Sequence, residues 1–171
     1  ESAPGAAQET LAGAKKAYGF LPNLLAVMAE APALLKAYRV VGDLFEQTSL
    51  SPTERQVVLL TASYENDCEY CVAAHSVIAG MQKVPDQVVR AVRDGQPIAD
   101  RKLEALRRLT AAIVASRGLP SPDDMAAFLQ AGYARAQVLE VVLGVGMKTL
   151  SNYTNHLADT PLDPAFAKAA W

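Results

Sequence analysis

Apolar residues recur at helical spacing along almost the whole chain. Leu34, Leu35, Tyr38, Val41, Leu44 and Phe45 form one stripe, and Leu103, Leu106, Leu109, Ala112 and Ile113 form another. Val57-Val58-Leu59-Leu60 is apolar on most sides and predicts a central, buried helix. Start signals agree with the stripes: Pro32 suits a first helical position, Ser51-Pro52-Thr53-Glu54 is a capping box with proline at N1, and Ser121-Pro122-Asp123-Asp124 repeats that start. Gly19, Gly80, Gly95 and Gly118 stand where helices should end. The pattern predicts helices over 8–18, 24–29 (capped by Asn23), 32–45, 52–64, 68–79, 85–93, 100–117, 122–131 and 134–157, then a short one from Asp163 that carries Phe166 and Trp171. Gly144 and Gly146 weaken the longest of these, so close helix packing is expected there. Tyr18, Phe20, Tyr38 and Phe45 are expected in the core or an interface. With no alternating strand and no repeat, the expected fold is all-α, with residues 1–7 as a flexible tail and 8–171 as one domain.

Composition narrows the classes without choosing among them. The 171 residues suffice for one sizeable core. Sixteen Lys and Arg against eighteen Asp and Glu leave a net charge of −2, which gives no electrostatic case for nucleic acid. No apolar run reaches membrane-spanning length, and Glu1-Ser2-Ala3-Pro4-Gly5 lacks the features of a secretory signal. The two cysteines make no disulfide framework, so a cytoplasmic redox or metal role fits better.

Both cysteines and one of the two histidines fall in Cys68-Glu69-Tyr70-Cys71-Val72-Ala73-Ala74-His75. Asn66-Asp67 is a source of an N-cap, so a helix is expected from about Cys68. At about 100° per residue, Cys71 and His75 are one turn and about 40° apart, within side-chain contact. Cys68 is roughly 10 Å along the axis from His75 and reaches it only through Cys71 or a water. It lies in the first turn, where free N–H groups and the helix dipole favour a thiolate. Two cysteines at this spacing can also close a small disulfide and cycle two electrons.

Leu50-Ser51-Pro52-Thr53-Glu54-Arg55-Gln56-Val57-Val58, followed by Asn66 through His75, resembles the AhpD-like alkylhydroperoxidase branch of the carboxymuconolactone decarboxylase superfamily, nearest its peroxidase-related members. Looser similarity runs from Leu21-Pro22-Asn23 to Asn152-Tyr153-Thr154-Asn155-His156. The resemblance implies an all-helical AhpD-like bundle, a homo-trimer or hexamer, and thiol-dependent reduction of small hydroperoxides without metal or other cofactor. It implies that Cys71 attacks the peroxide, Cys68 resolves it as a disulfide, and His75 joins a proton relay. The implied reductant is a dihydrolipoamide-carrying or thioredoxin-like protein, and no membrane or nucleic-acid partner is expected. The pattern has a glutamate twelve residues before the first cysteine, where this chain has Gln56. Glu65, at the other end of that helix, is the candidate replacement, and Gln56 and Glu65 are expected to approach the thiols from opposite sides.

Other readings stay open. Glu54 reads as the capping partner of Ser51. Thr149, Asn152 and His156 make a polar stripe that either faces solvent or lines the thiol pocket or an interface. Cys68, Cys71, His75 and His156 are the ligands of a Cys2His2 zinc reading. A decarboxylase, or a non-catalytic helical oligomer on the same scaffold, is the third reading, against which the cysteine pair argues.

Overall fold

The computed structural model describes residues 4–171, apart from the side chains of Ala6, Ala17 and Tyr18. The described residues form α1 (Gly5–Tyr18), α2 (Asn23–Met28), α3 (Pro32–Glu46), α4 (Pro52–Glu65), α5 (Glu69–Met81), α6 (Asp86–Arg93), α7 (Arg101–Ala115), α8 (Pro122–Gln130), α9 (Arg135–Ala158) and a 3-10 helix, Pro164–Ala169. No strand occurs among them. No helix among them is long and apolar enough to cross a membrane.

The starts follow the capping chemistry. Ser51 Oγ accepts from the Glu54 N–H at 3.3 Å and Glu54 accepts from the Ser51 N–H at 2.8 Å, which fixes the first turn of α4. Burial alone would raise the Glu54 carboxyl, but the Ser51 N–H and hydroxyl and the Lys102 ammonium outweigh it and hold Glu54 ionised. Asp100 and Ser121 cap α7 and α8 with their side chains.

Helix α4 is the axle of the bundle: Val57, Val58, Leu59 and Leu60 are all buried, and α5, α6, α7 and α9 pack around it. On one side a core of Leu50, Val88, Leu106, Leu109, Phe128 and Val141 fills the space between α4, α6, α7, α8 and α9. A second core gathers Leu24, Leu25, Met28, Leu35, Tyr38 and Phe166 around Cys68, Tyr70 and Cys71. Gly144 lets α9 approach: a Cβ there would stand 2.7 Å from Val58 Cγ1 and 2.8 Å from the Phe45 ring. Gly146 has no such reason, because a Cβ there would meet nothing within 4 Å.

Several boundaries differ from the sequence expectation. Gly5–Ala7 belong to α1 and Ala7 is buried, so the tail expected over 1–7 does not extend through them. Residues 1–3, and the Tyr18 side chain, lie outside the described residues. Asn23 does not cap α2. It occupies the first helical position, where its N–H donates to the Asp163 carboxylate at 3.1 Å and its amide donates to the Pro161 carbonyl at 2.9 Å. Gly80 does not end α5; the helix runs to Met81, and Lys83 makes the left-handed turn at φ 60°.

Candidate active site

Cys68 is the N-cap of α5, set there by Asp67 in a left-handed turn at φ 51°. The Cys68 N–H donates to the Ser63 carbonyl at 3.0 Å, which locks the cysteine turn onto the end of α4. Cys71 and His75 follow on the buried face of α5. Both cysteines are free thiols, and both are buried.

Helix α9 supplies a polar stripe to this otherwise apolar core. Lys148, Ser151, Asn152 and Asn155 are spaced by three, one and three residues, lie on one face, and are all buried. Asn155 Nδ2 stands 3.2 Å from Cys71 Sγ and 3.7 Å from Cys68 Sγ, so one amide donor serves both sulfurs. Ser151 Oγ lies 3.8 Å from Cys71 Sγ. Asn152 Oδ1 accepts from Asn66 Nδ2 at 3.0 Å and ties α9 to the loop before Cys68. Lys148 is 1% exposed, and among the described residues no carboxylate is within ion-pair distance of its ammonium.

The two thiols titrate in opposite directions. Burial pushes the Cys71 thiol up, but hydrogen bonding from Cys68, the Lys148 charge and the Ser151 hydroxyl together pull it well below the usual thiol range. Cys68 moves up, because its thiol proton is held by Cys71 and burial adds to the effect. The pair is therefore a Cys71 thiolate accepting from a Cys68 thiol.

His75 Nδ1 stands 3.0 Å from Gln56 Oε1, and Gln56 Nε2 donates to Gln82 Oε1 at 3.1 Å. With the amide N–H of Gln56 given to Gln82, its carbonyl faces the ring, and Nδ1 carries the imidazole proton. Burial and then the Lys148 charge lower the His75 pKa well below its ordinary value, so the ring is neutral.

The thiols open on different cavities. Cys71, His75, Gln56 and Lys148 line a cavity of about 400 Å³ whose other walls are mainly apolar, among them Phe20 and Phe166. Cys68 lines a separate cavity of about 260 Å³, with Asp67, Glu69, Asn155, His156 and Asp159. Between them stands Tyr70, whose hydroxyl donates to Asp163 and accepts from the Leu24 N–H. This hydroxyl fastens the C-terminal segment to α2 over the apolar cavity, and Phe166 packs edge-on against Phe20 and Tyr70.

The carboxymuconolactone decarboxylase family model matches residues 31–112, from α3 through α5 and into α7. Over those residues, just under half of the chain, the sequence is similar to the carboxymuconolactone decarboxylase family. Among curated proteins, none matches it. Solved structures share the fold over nearly the whole length. A peroxidase-related protein with an alkylhydroperoxidase AhpD core, from Ralstonia eutropha JMP134, superposes with TM-score 0.81 at 20% identity, covering 97% of this chain and 93% of that one. A peroxidase-related protein from Silicibacter sp. TM1040 gives 0.82 at 16%, covering 97% and 89%. The debrominase Bmp8 gives 0.81 at 17%, covering 96% and 90%.

Of the residues expected at the site, Cys68, Cys71, His75 and Gln56 are brought together. Glu65 is not: it lines neither cavity and sits half-buried in the field of Arg107 on α7. Burial raises its carboxyl, Arg107 opposes that and Asp67 adds to it. The reason is angular, since Gln56 faces α5 from the start of α4 and Glu65 leaves the opposite side at its end. His156 is exposed and lines the Cys68 cavity, away from His75. Among the described residues no group of three or more His, Cys, Asp or Glu could hold a metal, so the Cys2His2 set is not assembled. The polar stripe of α9 exists one residue earlier than expected, as Lys148, Ser151 and Asn155 in place of Thr149, Asn152 and His156, with Asn152 buried beside it. Sequence reasoning missed Lys148, although it is the one Asp, Glu, Lys or Arg between Glu140 and Asp159.

Proposed function

We propose that the chain is a thiol-dependent reductase of organic hydroperoxides. The observation that carries the reading is the position of the two thiols, with Cys71 on an apolar cavity beside Lys148 and His75 and Cys68 on a separate polar one, one Asn155 amide serving both sulfurs. The Cys71 sulfur attacks the terminal peroxide oxygen, the oxygen–oxygen bond breaks and the second oxygen leaves as the alcohol. Cys71 becomes a sulfenic acid, and the Cys68 thiol condenses with it to a disulfide and water. His75, neutral and held by Gln56, offers its free ring nitrogen on the cavity wall as a hydrogen-bond acceptor for the peroxide O–H. A dihydrolipoamide-type or thioredoxin-like dithiol then reduces the disulfide from the Cys68 side. The AhpD-core and peroxidase-related names of the structural neighbours point the same way.

The test is stopped-flow consumption of cumene hydroperoxide by the reduced protein, with thiols counted before and after. One equivalent should convert two thiols to none. Cys68→Ser should accumulate a trappable sulfenate on Cys71, and Cys71→Ser should not react. A sulfenate that forms on Cys68 at an undiminished rate in Cys71→Ser would reverse the roles.

A second reading has one specific support. A cysteine-to-alanine variant of the debrominase Bmp8 was crystallised with 2,3,4-tribromopyrrole, and its fold matches this chain with TM-score 0.77 at 18% identity over 95% of the chain. An apolar cavity ending on a thiolate suits a halogenated aromatic as well. Two thiols would then be oxidised to the disulfide while the carbon–bromine bond becomes carbon–hydrogen and bromide leaves. Bromide release from a bromopyrrole, without hydroperoxide consumption, would select it. Full activity of a double Cys→Ser variant on a lactone would select a decarboxylase instead.

The proposal includes self-association into trimers or a hexamer. Val40 and Leu44 on α3 and Leu139 and Val142 on α9 are large, exposed and apolar, and the two helices pack together. Light scattering at micromolar concentration should show a multiple of three chains, and a monomer would remove this part.

A further inference from the structure

The peroxide-reducing reading needs an acid that Gln56 and His75 cannot supply. When Cys71 attacks, the oxygen–oxygen bond breaks and an alkoxide leaves into the apolar cavity, where an unprotonated anion is costly. Gln56 has no proton to transfer. His75 is neutral, and its one N–H is committed to Gln56, so its other nitrogen offers only a lone pair. Tyr70 gives its hydroxyl proton to Asp163, and Cys68 does not line this cavity. Arg39 and Glu46 of α3 line the cavity too, but both reach solvent, and Glu46 is paired with Arg55. Two proton donors remain, the Tyr38 phenol on α3 and Lys148, fully buried on α9 beside Cys71 and His75, and only Lys148 carries the positive charge that also acts on Cys71.

We propose that Lys148 is the acid of the reaction: its ammonium holds Cys71 as a thiolate and then protonates the leaving oxygen. The inference rests on the hydroperoxide reading of the site. The step balances as Cys71 thiolate, hydroperoxide and Lys148 ammonium giving Cys71 sulfenic acid, alcohol and Lys148 amine. The sulfur loses two electrons to the oxygen–oxygen bond. The Cys68 thiol and the sulfenic acid then give disulfide and water with no net proton change. When a dithiol reductant returns both cysteines as thiols, Cys71 hands its proton to the Lys148 amine, and the thiolate–ammonium pair is restored. A carboxylate relay works by passing a proton from group to group. Here the proton is stored on the cation that makes the nucleophile.

Two measurements test this with Lys148→Met and Lys148→Arg. Methionine fits the buried stem without charge, and arginine keeps the charge but does not release a proton. Thermal melts establish that both variants are folded. The first measurement is alkylation of Cys71 by iodoacetamide against pH, in a Cys68→Ser background, which is independent of any peroxide chemistry. Lys148→Met should react about tenfold or more slowly at pH 7 and recover at higher pH, while Lys148→Arg stays within about threefold of its parent. The second is cumene hydroperoxide consumption with both cysteines present, where both variants should be slower by about tenfold or more. Alkylation of Lys148→Met at the parental rate would refute the hold on the thiolate. Hydroperoxide consumption by Lys148→Arg at the parental rate would refute the acid step. A parent protein inert to hydroperoxide would sink the functional reading and the acid step together, while alkylation would still decide whether Lys148 holds the thiolate.

Discussion

Gln56 Oε1 and His75 Nδ1 meet at 3.0 Å in the interior, each nearly inaccessible to water. Gln56 stands where the family pattern implies a glutamate, so the ring is held by a neutral acceptor. Replacing Gln56 with leucine leaves the His75 N–H and Gln82 without their partner. Loss of about 1–3 kcal/mol of stability is expected from urea unfolding. Gln56→Glu should instead raise the His75 pKa by pairing it with a carboxylate. With only two histidines in the chain, the shift is readable from imidazole proton resonances.

The neutral His75 makes stability depend on pH in a fixed direction. Its folded pKa is depressed, so below about pH 6.5 the unfolded chain binds a proton that the folded chain does not. Stability then rises with pH, and falls on acidification from about pH 6.5 down to the folded pKa. The His75 contribution has a slope of up to about 1.4 kcal/mol per pH unit. His75→Asn should flatten the profile between pH 5 and 6.5 relative to the parent. Equal slopes would mean that the ring is charged in the folded state.

Asn155 offers one amide to both sulfurs. Hydrogen bonds to charged groups contribute about 1.5–3 kcal/mol, so Asn155→Leu should slow alkylation of Cys71 at pH 7 by about 10–100-fold. An unchanged rate would show that the amide does not stabilise the thiolate.

The two glycines of α9 should behave in opposite ways. Gly144→Ala drives a methyl into Val58 and Phe45 and is expected to cost about 1–3 kcal/mol. Gly146→Ala enters open space within a helix and is expected to add about 0.5–1 kcal/mol of stability. Denaturant midpoints of the two variants give a paired comparison on one helix.

Much of this architecture is legible in the sequence, because it is written in local signals. The Ser51–Glu54 box, Asp100 and Ser121 set three helix starts through contacts within three residues. Cys71 and His75 share a face by helix geometry alone. What could not be read was long-range. Whether Glu65 or Lys148 faces the thiols depends on how α7 and α9 pack against α4 and α5, and no spacing within one helix contains that information. The α9 stripe was misplaced by one residue, which is about 100° on a helix and enough to exchange a buried face for an exposed one. Gly80 failed as a stop for a related reason: the chain turns at Lys83 instead, in a left-handed conformation that sequence preference assigns to glycine or asparagine.

The Tyr70–Asp163 hydrogen bond joins residues 93 positions apart, and Asn155 meets Cys71 across 84. Both partners, Asp163 and Asn155, are made well after the thiols. A growing chain that has passed α5 but not α9 therefore carries two ordinary thiols, without Lys148, without the shared amide and without the Phe166 wall. Pairings of this sequence separation form late. The surroundings of Cys71 are thus completed only after α9 has been made and packed, and truncation before Lys148 would yield a cysteine helix without the cation and the amide that face its sulfur.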